Sequence, residues 1–256
     1  MAEEISTSLL ILVVAGIGIL LLFLYVSSLE RVYERIGFTQ TEASTILMLT
    51  LFFGWLTIPV LPYGDWWIGI SLGGALIPII VCAILLRSRR AGIAEASIGI
   101  VIVATVTYFI TRAEPGVGIV ADLEFAFAPA LAAALFSVST FWVDIRRAAP
   151  LAYLSGVLGT LVGADVLHLQ DILATSPPAD ATGILSIGGA NIFDMVYLTG
   201  IAAVLLDVLL FWMQKQRSRS GVGLVIHELE MEAEGLPYAK DMTVSPKLKP
   251  GRKGRI

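Results

Sequence analysis

Residues Ser8 to Val26 form an unbroken apolar run of about 20 residues, long enough as a helix to cross a ~30 Å hydrocarbon core. Such a segment constrains everything after it. Inside a bilayer the backbone has no water to bond, so spanning elements must be helices or a closed barrel. The run does not read as a secretory signal: its flank is Glu3-Glu4 rather than Lys or Arg, and no small-residue cleavage site closes it. Six more apolar stretches follow, and the expected spans are about 7–27, 44–61, 67–87, 93–112, 119–143, 150–168 and 188–213. The expected fold is therefore an all-α polytopic transmembrane bundle of about seven spans. Residues 214–256 are expected to be a largely disordered cytoplasmic tail, drawn by its basic end to an anionic inner leaflet. Only 15% of residues are charged, against about a quarter in soluble domains.

Charge placement orients the bundle. Arg31 and Arg35 follow span one, Arg87, Arg89 and Arg90 span three, Arg146 and Arg147 span five, and Lys215, Arg217 and Arg219 span seven. Alternate connections carry mainly acids, Asp65, Asp171 and Asp180 among them, with Arg112 beside Glu114. The rule that cytoplasmic loops hold the excess of Lys and Arg puts the N-terminus outside and the C-terminus in the cytoplasm. The basic residues sit at span ends and in the tail, which leaves no extended nucleic-acid surface. The expected partner is the lipid bilayer, with a small solute or cation as candidate ligand. The lone cysteine, Cys82, falls inside a span and reads as a packing residue.

Ser71-Leu72-Gly73-Gly74-Ala75-Leu76-Ile77-Pro78 is echoed at Ser186-Ile187-Gly188-Gly189-Ala190-Asn191-Ile192-Phe193-Asp194. Both copies run outside to inside, and a duplication would relate them by an axis along the membrane normal. The match is short and mostly Gly and Ala, so duplication and coincidence both remain open. Interior Pro78 and Pro129 are expected to kink their helices, and Pro150 to sit in the first turn of span six.

Ionisable residues within spans are costly and are functional candidates by default. Counted along ideal helices, Asp165 lies roughly 22 Å from the inner start of span six. With Ser186 as the cap of span seven, Asp194 lies roughly 12 Å down from its outer end. The two carboxylates thus come to similar depth on consecutive helices. Asn191, Asp194 and Tyr197 share one helical face at three-residue spacing, as do Asp165 and His168. Ser155, Gly159 and Gly163 form a small-residue stripe that permits close helix approach, and Asp165 is turned well away from it. Asp122 and Glu124 read as interfacial first-turn acids, and Asp207 as an inner-half acid that pairs with a neighbouring helix or reaches the inner interface. No zinc spacing, phosphate loop, nucleophile elbow or dinucleotide fingerprint is present, and no metal or cofactor is expected.

Three stretches together resemble a known family: Ser71 to Pro78, Pro150 to Asp165, and Ser186 to Asp194. They are similar to domain of unknown function 1614, an uncharacterised prokaryotic family of multi-pass membrane proteins, over roughly residues 45 to 210. The resemblance implies a prokaryotic cytoplasmic membrane and no known activity. Thr57-Ile58-Pro59 departs from it by holding Thr where the family pattern has Asn. A weaker likeness, to intramembrane aspartyl proteases, rests on the two aspartates. Those enzymes use Gly-x-Gly-Asp, whereas Val162-Gly163-Ala164-Asp165 stands here, and Pro129-Ala130-Leu131 precedes both aspartates rather than following them.

The leading functional expectation is a transporter or permease for an ion or small solute, with Asp165, Asp194, Asn191, Tyr197 and His168 as binding residues. Gly73, Gly74, Gly159, Gly163, Gly188 and Gly189 would shape the scaffold. An aspartyl protease-like enzyme and a non-catalytic scaffold or sensor are the competing readings.

Overall fold

The computed structural model describes residues 2–114, 118–142, 144–174, 183–189 and 194–234. Contacts divide the chain into a unit of residues 1–211 and a second of 212–256. The first is an all-α bundle: α1 Ala2–Arg35, α2 Gln40–Phe53, α3 Ile77–Arg87, α4 Ile93–Ile110, α5 Ala128–Thr140, α6 Ile145–Thr160, α7 Leu169–Leu173 and α8, which begins at Met195 and runs to Glu234. Two small sheets join the helices. One orders β1 Thr57–Tyr63, β2 Trp66–Ser71 and β5 Ile184–Ile187, and the other pairs β3 Thr111–Glu114 with β4 Gly118–Ala121.

The centre of the bundle is α6. Twelve of its residues are buried, from Ala148 to Thr160, and it packs against α4, α5 and α3. In lipid, association of helices depends on close packing rather than on hydrophobic burial, and the glycines supply it on two faces. A Cβ at Gly159 would meet the Val103 side chain at 2.5 Å, and one at Gly163 the Ala104 carbonyl at 2.5 Å. Gly99 in turn lies against Ser155. The expected Ser155–Gly159–Gly163 stripe is therefore the seat of α4, which runs parallel to α6. On another face Gly156 meets Gly200 of α8, whose own Cβ would meet Val157 at 2.4 Å. Around this core, Leu29, Val32 and Tyr33 of α1 and Ile36 just after it form a buried face at helical spacing, and Cys82 is buried in the same cluster as a packing residue.

Several expected spans are not continuous helices. Span two is α2, which at 14 residues reaches ~21 Å, followed by strand β1. Span three is strand β2, a π-helical turn Leu72–Leu76, then α3. Hydropathy alone does not separate strand from helix, and Pro59 and Pro62 forbid helix where β1 forms the edge of its sheet. Span five begins with β4 and a 3-10 turn, Leu123–Phe125, before α5. Pro78 lies inside the continuous helical stretch Leu72–Arg87, just after its π-helical turn. Pro129, expected in a helix interior, sits in the first turn of α5, where the missing N–H costs nothing. Pro150 is the reverse case: Asp144 caps α6 five residues earlier than expected, which leaves Pro150 inside the helix. Past residue 213, where the tail was expected to begin, α8 continues through Glu234.

Candidate functional site

The two Ser-x-Gly-Gly-Ala copies come together. Strands β2 and β5 pair in parallel, with Gly69 opposite Ser186 and Ile70 opposite Ile187. Both motifs therefore leave the sheet in the same direction, as expected of parallel copies. The serines differ in role. The Ser71 hydroxyl accepts the Gly74 N–H at 3.3 Å and caps the π-helical turn, whereas Ser186 remains in the strand, its hydroxyl 2.8 Å from that of Thr57. The departure Thr57 thus touches the second motif directly. Just beyond, Gly188 turns at φ +69°, and a Cβ there would lie 2.7 Å from both the Gly74 carbonyl carbon and the Ala75 nitrogen. Only glycine on one strand lets the backbone of the other pass.

From this junction α8 starts later than the sequence suggested. Its first residue is Met195, and Asp194 is its cap, the carboxylate accepting the Val196 N–H at 2.8 Å. Ser186 is therefore not the cap of this helix, and Asp194 lies before its first turn rather than within it. Aspartate is among the best residues at such a position, since it satisfies donors the helix leaves unpaired. Asn191 lies outside the described residues, and it precedes the helix on which a shared face with Asp194 was expected.

Opposite stands Asp165. The chain from α6 continues into a π-helical turn, Leu161–Val166, in which Gly163 and Ala164 are buried against α4 and Asp165 is half-buried. A π turn shifts side chains off the regular helical register and is common at functional sites. The shift matters here because Gly163 faces α4, while the Asp165 carboxylate lies within electrostatic range of Asp194. The two acids expected on consecutive regular helices thus lie on a π-helical turn and at a helix start, each near enough to feel the other's charge.

Two other expected site residues are engaged elsewhere. His168 is buried with its ring stacked on Tyr108 at 4.7 Å, and its nitrogens lie 3.3 Å from the Tyr108 carbonyl and from Asp171. It fastens α7 to α4 rather than joining Asp165. Tyr197 is buried one turn into α8 and takes the Tyr33 hydroxyl at 3.1 Å, with Thr50 also in hydrogen-bonding reach. It ties α8 to α1 and α2. Tyr33 and Thr50 went unread as polar partners in the sequence, although the helical spacing of Leu29, Val32, Tyr33 and Ile36 could have marked that face.

The remaining acids separate clearly. Asp122 and Glu114 both hold Arg112, at 2.7 and 2.9 Å, and these exposed pairs keep the guanidinium more firmly protonated than usual, Asp122 contributing most. Asp207 is fully buried and accepts the Ser137 hydroxyl of α5 at 2.6 Å, the neighbouring-helix pairing expected of it. Among the described residues, no group of three or more His, Cys, Asp or Glu could hold a metal ion.

Among the described residues four helices, Leu12–Arg35, Ile93–Ile110, Ile145–Leu173 and Met195–Gln216, are long and apolar enough to cross a membrane. Apolar side chains are exposed along most of Leu12–Arg35 and on parts of Ile93–Ile110 and Met195–Gln216, and together these helices suggest an integral membrane protein built as a helical bundle. A family model described as a protein of unknown function (DUF1614) matches residues 24–206, and the chain belongs to that family. No curated protein and no solved structure matches it.

Proposed function

We propose that this protein moves a cation or proton, alone or with a small solute, through a site formed by Asp165 and Asp194. One observation carries the reading: two acids within electrostatic range of each other, one in a π-helical turn and the other at the start of a helix. Discontinuous helices that expose backbone groups beside a membrane carboxylate are the usual construction of transporter sites. Two like charges held together repel, and a bound cation or proton relieves that repulsion. Six residues before Asp194, Gly188 packs on Gly74 and Ala75 and joins the two motif copies. On this reading the N-terminus is outside, the C-terminus is in the cytoplasm, and the membrane is a prokaryotic cytoplasmic one.

The test is reconstitution into liposomes with flux followed by pH- and cation-sensitive dyes. Asn can replace Asp at a helix cap with little loss, so Asp194→Asn should fold like the wild type and abolish flux, as should Asp165→Asn. Wild-type flux in both variants would overturn the proposal. The same closeness of two carboxylates is what a protease of the aspartyl type would need, and peptide cleavage in the same liposomes, lost in both variants, would favour that chemistry instead. If both variants unfold, the acids serve as scaffold.

A further inference from the structure

Away from the acid pair, a groove runs along the flank of the bundle between α5 and α8, with a volume of about 530 Å³. Its walls are apolar: Phe127 and Leu131 on one side, Leu205, Leu206 and Leu209 on the other. All but Leu206 are large side chains left exposed, at 46% or more of their surface. A single charged residue, Glu124, lines the groove, on the 3-10 turn that leads from β4 into α5. The nearby cation does not serve it. Arg112 is held by Glu114 and Asp122, and among the described residues Glu124 has no ion-pair partner.

We infer that this groove is a lipid site that takes an acyl chain of a phospholipid whose primary-amine headgroup is bound by Glu124. The argument is one of matching chemistry. A membrane-facing apolar trough of this size suits a hydrocarbon chain, and pockets of 300–1,000 Å³ hold ligands of comparable bulk. An unpaired carboxylate beside it selects a positively charged group that can donate hydrogen bonds, which a primary ammonium does and a quaternary one cannot. Exposed Phe125, within the turn, and Phe127, just after it, add apolar surface beside Glu124. The assignment is independent of the Asp165–Asp194 site.

The test is native mass spectrometry of the full chain, titrated with phosphatidylethanolamine or with phosphatidylcholine of the same chains. The wild type should retain the amine lipid about two- to fivefold better, the ratio an exposed ion pair supplies. Glu124→Gln should remove the preference while leaving chain binding, and Asp122→Asn, which disturbs the Arg112 cluster instead, should keep it. Leu206→Trp, which fills the groove, should weaken both lipids. Equal retention of the two lipids by the wild type, or an unchanged preference in Glu124→Gln, would overturn the assignment.

Discussion

Replacing Gly188 by Ala tests whether the two motif copies bear on each other. Two costs are expected there. The first is conformational: at φ +69° a Cβ approaches the following carbonyl, at about 1 kcal/mol. The second is steric: the new methyl lies 2.7 Å from backbone atoms of Gly74 and Ala75, which cannot rotate away. Overpacking of that kind costs about 1–3 kcal/mol, for a total of ~2–4 kcal/mol. Two companions separate the terms. Gly64 also has positive φ, +58°, but nothing within 4 Å of its Cβ, so Gly64→Ala reports the conformational cost alone. Gly163 lies in the π-helical turn, 2.5 Å from the Ala104 carbonyl, so Gly163→Ala reports the steric cost less up to ~1 kcal/mol of regained helix propensity. Unfolding by sodium dodecyl sulfate in mixed micelles, followed by tryptophan fluorescence, ranks them. Gly188→Ala should be the most destabilised. If it is no worse than Gly64→Ala, the contact between Gly188 and the Leu72–Leu76 turn is absent and the two motif copies do not bear on each other.

Removing the Ser137 hydroxyl by Ser137→Ala should destabilise the bundle by about 1–3 kcal/mol, because Asp207 is then buried without its donor. The double change Ser137→Ala, Asp207→Leu should recover most of that loss in the same unfolding assay, and a strictly additive loss would refute the pairing. Cysteines at Ser88 and Thr182, in a chain whose native Cys82 is buried, should react with an impermeant thiol reagent from opposite faces of the membrane. Labelling of both from one face would refute the orientation given by the basic clusters.

What could be read from the sequence follows the physics of each signal. The stripe Ser155–Gly159–Gly163 was legible because small residues at four-residue spacing leave one geometric option on a helix, and α4 occupies it. The strands were not. Thr57 to Tyr63 and Trp66 to Ser71 are as apolar as a span, and in a short run hydropathy does not register the difference between periods of 2 and 3.6. The useful signal was the pair Pro59 and Pro62, which excludes helix but tolerates a sheet edge.

Asp165 and Asp194 lie within electrostatic range of each other, although the local structure around Asp194 differs from the one expected. Counting helical rise from Ser186 placed Asp194 about two turns deep, yet the helix begins only at Met195. The segment before it is strand β5 and the Gly188 turn, set against β2 and the Gly74–Ala75 backbone rather than wound as helix. A strand advances about 3.3 Å per residue against 1.5 Å for a helix, so a count of helical rise does not give the distance such an entry covers. Hydrophobic spans fix where a chain must cross. They do not fix whether it crosses as one helix, and the glycines and acids that break the helices are where the candidate site lies.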